Sequence, residues 1–389
     1  MESSPESGGY VRVALAGGGT GGHIYPLVAV AQALRQLDPK TELLFLGQAV
    51  SREQREAARV KIPFRAFHRQ DNRRSKPWHL LSSLFWVGVG AAQVSAILHK
   101  FRPHFLLGAG GYVSLPSVAA ASVMRIPYVL LEQNMIPGKV TRLYCRGARA
   151  VFLTFPGSQR HLVISDKAFV VGNPVRVDLL PPRPEARKRL GISPDCQLVV
   201  VVGGSQGARR LNEAVGQAAD ALLAGHPRME LFWVVGKSAN SVSLPGAGVA
   251  LSPILQKRLR MVDYCEEMPL WLAAADLFLG RAGSGTLSES LAAGIPMLLV
   301  PYPHAADGHQ AANAAFLEET GAAVVLPEEQ IGELSSRISK LLDDPSRLAE
   351  MAMSASRLGK RDAAQVVAEW VQGSSVGEQH DAPLPREKQ

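Results

Sequence analysis

The sequence predicts an α/β protein of two nucleotide-binding-type domains, each a parallel sheet with helices on both faces, with a cleft between them. Three observations point there. Apolar runs of strand type alternate with helical stretches along most of the 389 residues, and that order produces parallel sheets. Glycine-rich turns punctuate the chain at 17–23 (GGGTGGH), 108–112 (GAGGY), 203–208 (GGSQGA) and 280–289 (GRAGSGTLSE), at least the first three directly after an apolar run. The pattern stops at a proline-bearing stretch, 173–184, and restarts at Gln197, because proline breaks both helix and strand.

The first domain is expected over 11–178, after a flexible lead-in at 1–10. Its elements run in order: a strand at 11–16, a helix at 25–37 and a strand at 43–46. A basic loop at 68–76 and an apolar helix at 77–98 follow, then a strand at 105–107 and a helix at 115–124. A strand at 128–131 ends in Glu132-Gln133-Asn134, and a short strand covers 151–154. The second domain is expected over 179–372, with strands at 197–202, 231–235, 297–300 and 322–326, and a polar, disordered tail at 373–389. Ligands of such sheets bind at the carboxyl ends of the strands, where these turns lie.

Hydrophobic residues make up 47% and charged residues 20%, ordinary for a globular protein. The net charge of +8, from 42 basic and 34 acidic residues, suits an anionic partner such as a nucleotide, a phospholipid surface or a pyrophosphate lipid. No basic stripe interleaved with aromatics is present, so no nucleic-acid partner is expected. Cys145, Cys196 and Cys265 are far apart and form no CxxC, which suggests neither a zinc site nor a disulfide framework and fits a reducing cytoplasm. The N-terminus has no signal-peptide pattern.

Residues 77–98 carry no Asp, Glu, Lys or Arg and have basic flanks. By length they could span a bilayer. Ser82, Ser83, Gln93 and Ser95 dilute the stretch, and a span between two strands of one α/β unit would cut that unit in two. Two readings stay open: a buried crossover helix, or a helix that dips Trp78, Leu81, Phe85 or Trp86 into a membrane interface.

A strand, then glycines, then a helix can hold a phosphate, since glycine admits close backbone approach and the helix end offers free N–H groups. The first turn lacks the acidic residue after the second strand that a dinucleotide fold uses for a ribose. His23 lies where that turn enters its helix. The positive helix end would keep its imidazole neutral and able to accept a proton; the alternative is a histidine that only caps the helix. Glu289 follows Thr286 by three residues, the spacing of a capping box, and as a carboxylate in the first turn it could also accept ribose hydroxyls. Arg176 and Arg281 could meet phosphate or lie on the surface, and His304 and His309-Gln310 could meet sugar hydroxyls. Without a DxD motif or a ligand cluster, no metal and no cofactor are expected.

Six stretches, in this order and spacing, resemble the MurG family of glycosyltransferase family 28. They are 17–34, 108–121, 132–138, 170–176, 199–212 and 280–314, and the resemblance runs from about residue 11 to residue 370. It implies the GT-B fold of two Rossmann-like domains, the N-terminal one for the acceptor lipid and the C-terminal one for UDP-GlcNAc. The implied reaction is an inverting transfer of GlcNAc to the 4-hydroxyl of the muramoyl sugar of lipid I, giving lipid II for peptidoglycan. By motif, Thr20, Gly21, Gly22 and Asn134 would face donor sugar and diphosphate, with Arg176 and Ser205 near the diphosphate. Cys265 would meet uracil through its main chain. Ser284, Gly285, Thr286, Leu287, Ser288 and Glu289 would hold phosphate and ribose, and Gln310, with His309, the GlcNAc hydroxyls. His23 is the first candidate base and Glu132 the second. The family rests on the cytoplasmic face of the inner membrane, on anionic lipid, through the region of the apolar helix. Leu131 and Thr141 depart from the usual histidine and asparagine. Competing readings are a transferase that glycosylates diacylglycerol, a UDP-GlcNAc epimerase, and a nucleotide-sugar-binding subunit without catalysis of its own.

Overall fold

A computed structural model describes residues 10–67, 79–164, 166–203, 208–236 and 256–374, with the side chains of 79–85 left aside. The chain divides into two compact units. One takes the described residues up to Val175 and those from Asp362 on, and the other takes Arg176–Arg361.

The first unit holds seven parallel strands in the order β3-β2-β1-β4-β5-β6-β7. These are β1 (Arg12–Ala16), β2 (Glu42–Gly47), β3 (Phe64–Ala66), β4 (Phe105–Gly108), β5 (Tyr128–Glu132), β6 (Ala150–Leu153) and β7 (Ala168–Val170). After β1 the chain builds outward to β3, then returns to add β4 on the other side of β1. Strand order therefore reverses between β1 and β4, and a crevice opens at such a point, beyond the carboxyl ends of the strands.

Both faces of this sheet are covered, so its strands are almost continuously apolar. Val13 and Leu15 point to one face, under helix α1 (Gly21–Leu37), with Ala57 of α2 (Arg52–Arg59) in the same core. Ala14 and Ala16 point to the other, under α3 (His79–Phe101) and α4 (Gly111–Val123). In α3, Val94 and Leu98 are fully buried in that core. Among the described residues, no helix is long and apolar enough to cross a membrane. Trp78 lies outside the described residues, as does the basic stretch 68–76 apart from that.

Helices α1 and α4 begin at Gly21 and Gly111, several residues ahead of the expected starts at 25 and 115. The glycines are the entry turns themselves, where propensity argues against helix but close approach demands no side chain. Helix α5 (Lys139–Tyr144) follows β5.

The second unit holds six parallel strands in the order β10-β9-β8-β11-β12-β13, with the same reversal, between β8 and β11. They are β8 (Gln197–Val202), β9 (Met229–Val234), β10 (Leu259–Val262), β11 (Leu277–Gly280), β12 (Met297–Leu299) and β13 (Ala323–Val325). The helices are α6 (Arg183–Leu190), α7 (Arg209–Gly225), α8 (Met268–Ala274), α9 (Ser284–Ala293), α10 (His309–Glu319), α11 (Leu334–Leu342) and α12 (Pro345–Leu358). Asn212 locks α7 to β9: its Nδ2 donates to Val235 O (2.8 Å) and its Oδ1 accepts from the buried Trp233 indole (3.1 Å).

The last helix, α13 (Ala363–Gly373), falls within the stretch assigned from sequence to the second domain. It packs in the first. Ala364, Val367, Ala368 and Val371, at helical spacing, join the α1 core. Trp370 meets Phe105 and Phe152 edge-on at 5.9 and 5.6 Å. Apolar area decides the placement, since each buried valine contributes about 1.5–3 kcal/mol. The break between units correspondingly falls after Val175 and not after residue 178.

Candidate active site

At the reversal edge of the first unit, β1 ends at Ala16 and the chain turns through Gly17, Gly18 and Gly19 into α1. A Cβ on Gly17 would stand 2.5 Å from His23 O and 2.7 Å from Leu27 Cδ1. Thr20 is the N-cap residue, but its side chain caps nothing. His23 N donates back to Thr20 O (3.2 Å), and Gly21 and Gly22 keep the N–H groups that a helix start leaves over.

His23, half-buried, is the third residue of α1. Its ring sits against the turn after β4. There Gly110 and Gly111 have φ of +75° and +71°. A Cβ on Gly111 would be 2.9 Å from His23 Cδ2 and 3.3 Å from Nε2. The GAGGY turn, grouped from sequence with the phosphate-type turns, is therefore a socket for an imidazole. Beside the first turn stands Glu53, only 1% exposed. A Cβ on Gly18 would be 2.7 Å from its Oε1, which accepts from Gln48 N (3.2 Å). A carboxylate there opposes a phosphate on this turn, so the glycine turns of the two units are not equivalent.

Strand β5 delivers Glu132 and Gln133 to the same edge. Glu132 is 4% exposed and accepts four hydrogen bonds. Oε1 takes Asn134 N (3.0 Å) and Nδ2 (3.4 Å), and Oε2 takes Gly138 N (2.9 Å) and Thr141 Oγ1 (2.6 Å). This carboxylate ties the 132–141 loop shut. The hydroxyl of Thr141, at a position of departure from the family pattern, supplies one of the donors. Leu131, the other departure, is core. Gln133, absent from the expected site, is buried and meets His23: its Oε1 lies 3.1 Å from His23 Nδ1.

In the second unit, α9 follows β11 with Gly283 at its N-cap and no side-chain cap. Leu287 N donates to Gly283 O (3.1 Å), so the N–H groups of Ser284, Gly285 and Thr286 have no partner within the helix, the arrangement that binds anions. One expectation is corrected here. Thr286 and Glu289 form no capping box, because the helix starts at Ser284 and both lie inside it. Leu287 is core, with a fully buried side chain, and Ser288 Oγ turns back to Ser284 O (2.8 Å).

Glu289, in the second turn, accepts from Arg176 Nη2 at 2.9 Å, and both side chains are buried. Burial pushes the Glu289 carboxyl above its ordinary range, while Arg176 pulls it back. Arg281 is spent on structure: it donates to Val300 O (3.1 Å) and Pro301 O (3.3 Å) and pairs with the buried Glu328. Gln310 Oε1 accepts from Tyr302 N (3.0 Å), and His309 Nδ1 contacts Ala306 O (2.6 Å). Burial pushes the Cys265 thiol up to about 11, so it offers no thiolate at neutral pH. Ser205 lies outside the described residues. Among the described residues, no three His, Cys, Asp or Glu gather as a metal would need.

Residues 13–153 match the glycosyltransferase family 28 N-terminal domain and residues 198–367 the C-terminal domain. The chain is 37% identical over 362 residues to the UDP-N-acetylglucosamine--N-acetylmuramyl-(pentapeptide) pyrophosphoryl-undecaprenol N-acetylglucosamine transferase of Desulfitobacterium hafniense (strain Y51), covering 91% of this chain and 96% of that one. The crystal structure of Acinetobacter baumannii MurG superposes with a TM-score of 0.69 at 24% identity, over 93% of this chain and 99% of that one. A UDP-GlcNAc 2-epimerase from Neisseria meningitidis gives 0.68 at 14%, over 94% and 100%, so the fold alone does not separate transfer from epimerisation. Kinship along nearly the whole sequence does separate relatives from look-alikes, and by it the chain belongs to glycosyltransferase family 28.

Proposed function

We propose that this chain transfers GlcNAc from UDP-GlcNAc to the 4-hydroxyl of MurNAc-(pentapeptide)-pyrophosphoryl-undecaprenol, with inversion, giving lipid II. What carries it is 37% identity with a transferase of that name, over 91% of this chain and 96% of that one. The residues supply the chemistry. The N–H groups of Ser284, Gly285 and Thr286 and the guanidinium of Arg176 receive the diphosphate, with Ser205 as a further contact. They stabilise the charge that grows as UDP departs, which favours the transition state over the ground state. Glu289 takes the ribose hydroxyls, Cys265 the uracil through its main chain, and Gln310 with His309 the GlcNAc hydroxyls. From the acceptor side, Thr20, Gly21, Gly22 and Asn134 face the donor.

His23 is the base. It removes the proton from the 4-hydroxyl as that oxygen attacks the anomeric carbon, and the electron pair of the broken bond leaves with UDP. Glu132 is the weaker candidate, since a proton on either oxygen would compete with the two donors that this oxygen already accepts and that close its own loop. The protein works from the cytoplasmic face of the membrane as a peripheral enzyme, drawn to anionic lipid by its net charge of +8.

The test is UDP release from UDP-GlcNAc by the purified protein, with a soluble lipid I analogue and with diacylglycerol, each with and without EDTA. Turnover with the lipid I analogue alone supports the assignment. Turnover with diacylglycerol alone moves the chain to the glycolipid synthases, and loss in EDTA overturns this account of the diphosphate site.

A further inference from the structure

Gln133 is 1% exposed at the end of β5, and its amide is oriented without ambiguity. Nε2 donates to Leu131 O at 2.8 Å. A carbonyl oxygen only accepts, so this contact identifies the NH₂ end of the amide. The other end, Oε1, faces His23 Nδ1 at 3.1 Å, and it too can only accept. Nδ1 must therefore carry a hydrogen. In the neutral ring the lone pair then lies on Nε2, the ring nitrogen that a Cβ on Gly111 would crowd, at 3.3 Å.

On the reading of His23 as the base, we propose that Gln133 is a positioning residue that holds the imidazole in its Nδ1–H tautomer, so that Nε2 is the atom that accepts the proton. An amide suits this task better than a carboxylate. Both would fix the tautomer, but a carboxylate 3.1 Å away would favour the imidazolium and leave the ring protonated, unable to act as a base. The charged groups nearest this edge are Glu132, Glu53 and Arg52. Glu132 on β5 is occupied by Asn134, Gly138 and Thr141, Glu53 of α2 stands beside Gly18, and Arg52 of α2 beside Gly21. The α4 side presents Gly110 and Gly111 to the ring. Free imidazole has no such restriction, so burying an otherwise unremarkable glutamine here selects one of two proton positions.

The tautomer can be read without turnover, by ¹⁵N–¹H correlation spectra of protein labelled at its histidines, with H23Q to assign the signal. The expected result is a protonated-type Nδ1 and an unprotonated-type Nε2 in the free enzyme at neutral pH. In Q133M the two forms should mix, and kcat should fall roughly 10–100-fold while the KM for UDP-GlcNAc stays within about twofold. Q133E should keep the tautomer and move the acid limb of the kcat profile upward by about one pH unit or more, recovering activity at high pH. A wild-type ring protonated at Nε2, or a Q133M protein with unchanged tautomer and kcat, would overturn the proposal. If the tautomer is as stated but H23A turns over normally, His23 is not the base, and only the orientation by Gln133 stands.

Discussion

Arg176 and Glu289 form a buried ion pair at 2.9 Å, joining the first residue of the second unit to the second turn of α9. Neither can be removed alone without leaving the other charge buried, which costs about 3–5 kcal/mol. E289A should therefore lower the melting temperature as well as weaken UDP-GlcNAc binding in titration calorimetry. Unchanged donor affinity would refute the ribose assignment. The pH dependence has a definite sign. Burial raises the Glu289 pKa above 4.5, so only between pH 4.5 and that raised value does the folded state hold a proton that the unfolded state has lost. The stability contributed by this group is full below pH 4.5 and declines as pH rises through the raised value. E289Q, which cannot ionise, should flatten that part of a melting-temperature profile.

His23→Ala removes the proposed proton acceptor but none of the groups assigned to the donor. Turnover should fall by roughly 10²–10⁴, with UDP affinity close to wild type. Near-normal turnover with lipid I analogue would remove His23 from the reaction.

Much of this was legible in the sequence. Alternating strands and helices announced two parallel sheets, and GGGTGGH and GRAGSGT marked the reversal edges where His23 and Ser284 now stand. Three things were not legible. The glycines of GAGGY look like another phosphate turn, because nothing local reveals that a ring from 87 residues away, at His23, fills the space over Gly110. Gln133 sits between two residues that draw attention by charge and motif, and only the path of the chain as it leaves β5 decides which of the three faces His23. Helix α13 follows the second unit in sequence, and its return to Phe105 and Phe152 is a tertiary choice set by apolar area.

The socket makes a paired prediction. Gly110 and Gly111 both have positive φ, so alanine at either strains the backbone, at a cost of about 1–3 kcal/mol. The steric consequences differ. A Cβ at 110 stays 3.7 Å from the ring, an ordinary contact, whereas one at 111 comes to 2.9 Å of Cδ2. G111A should therefore lose more kcat than G110A, whatever each loses in melting temperature, with UDP binding intact in both. Equal kcat losses would mean that the turn does not position the imidazole.

Thr141 separates the two candidate bases. Its hydroxyl donates to Glu132 Oε2 at 2.6 Å in a buried setting. T141V keeps the shape but removes one of four donors, at a cost of about 1–3 kcal/mol. If Glu132 were the base, losing that donor should cut kcat as well as the melting temperature. If His23 is the base and Glu132 closes its loop, the melting temperature should drop while kcat, assayed well below the transition, stays near wild type. The two readings thus part on one variant and two measurements, and a large loss of kcat in protein that is still folded would transfer the catalytic role to Glu132.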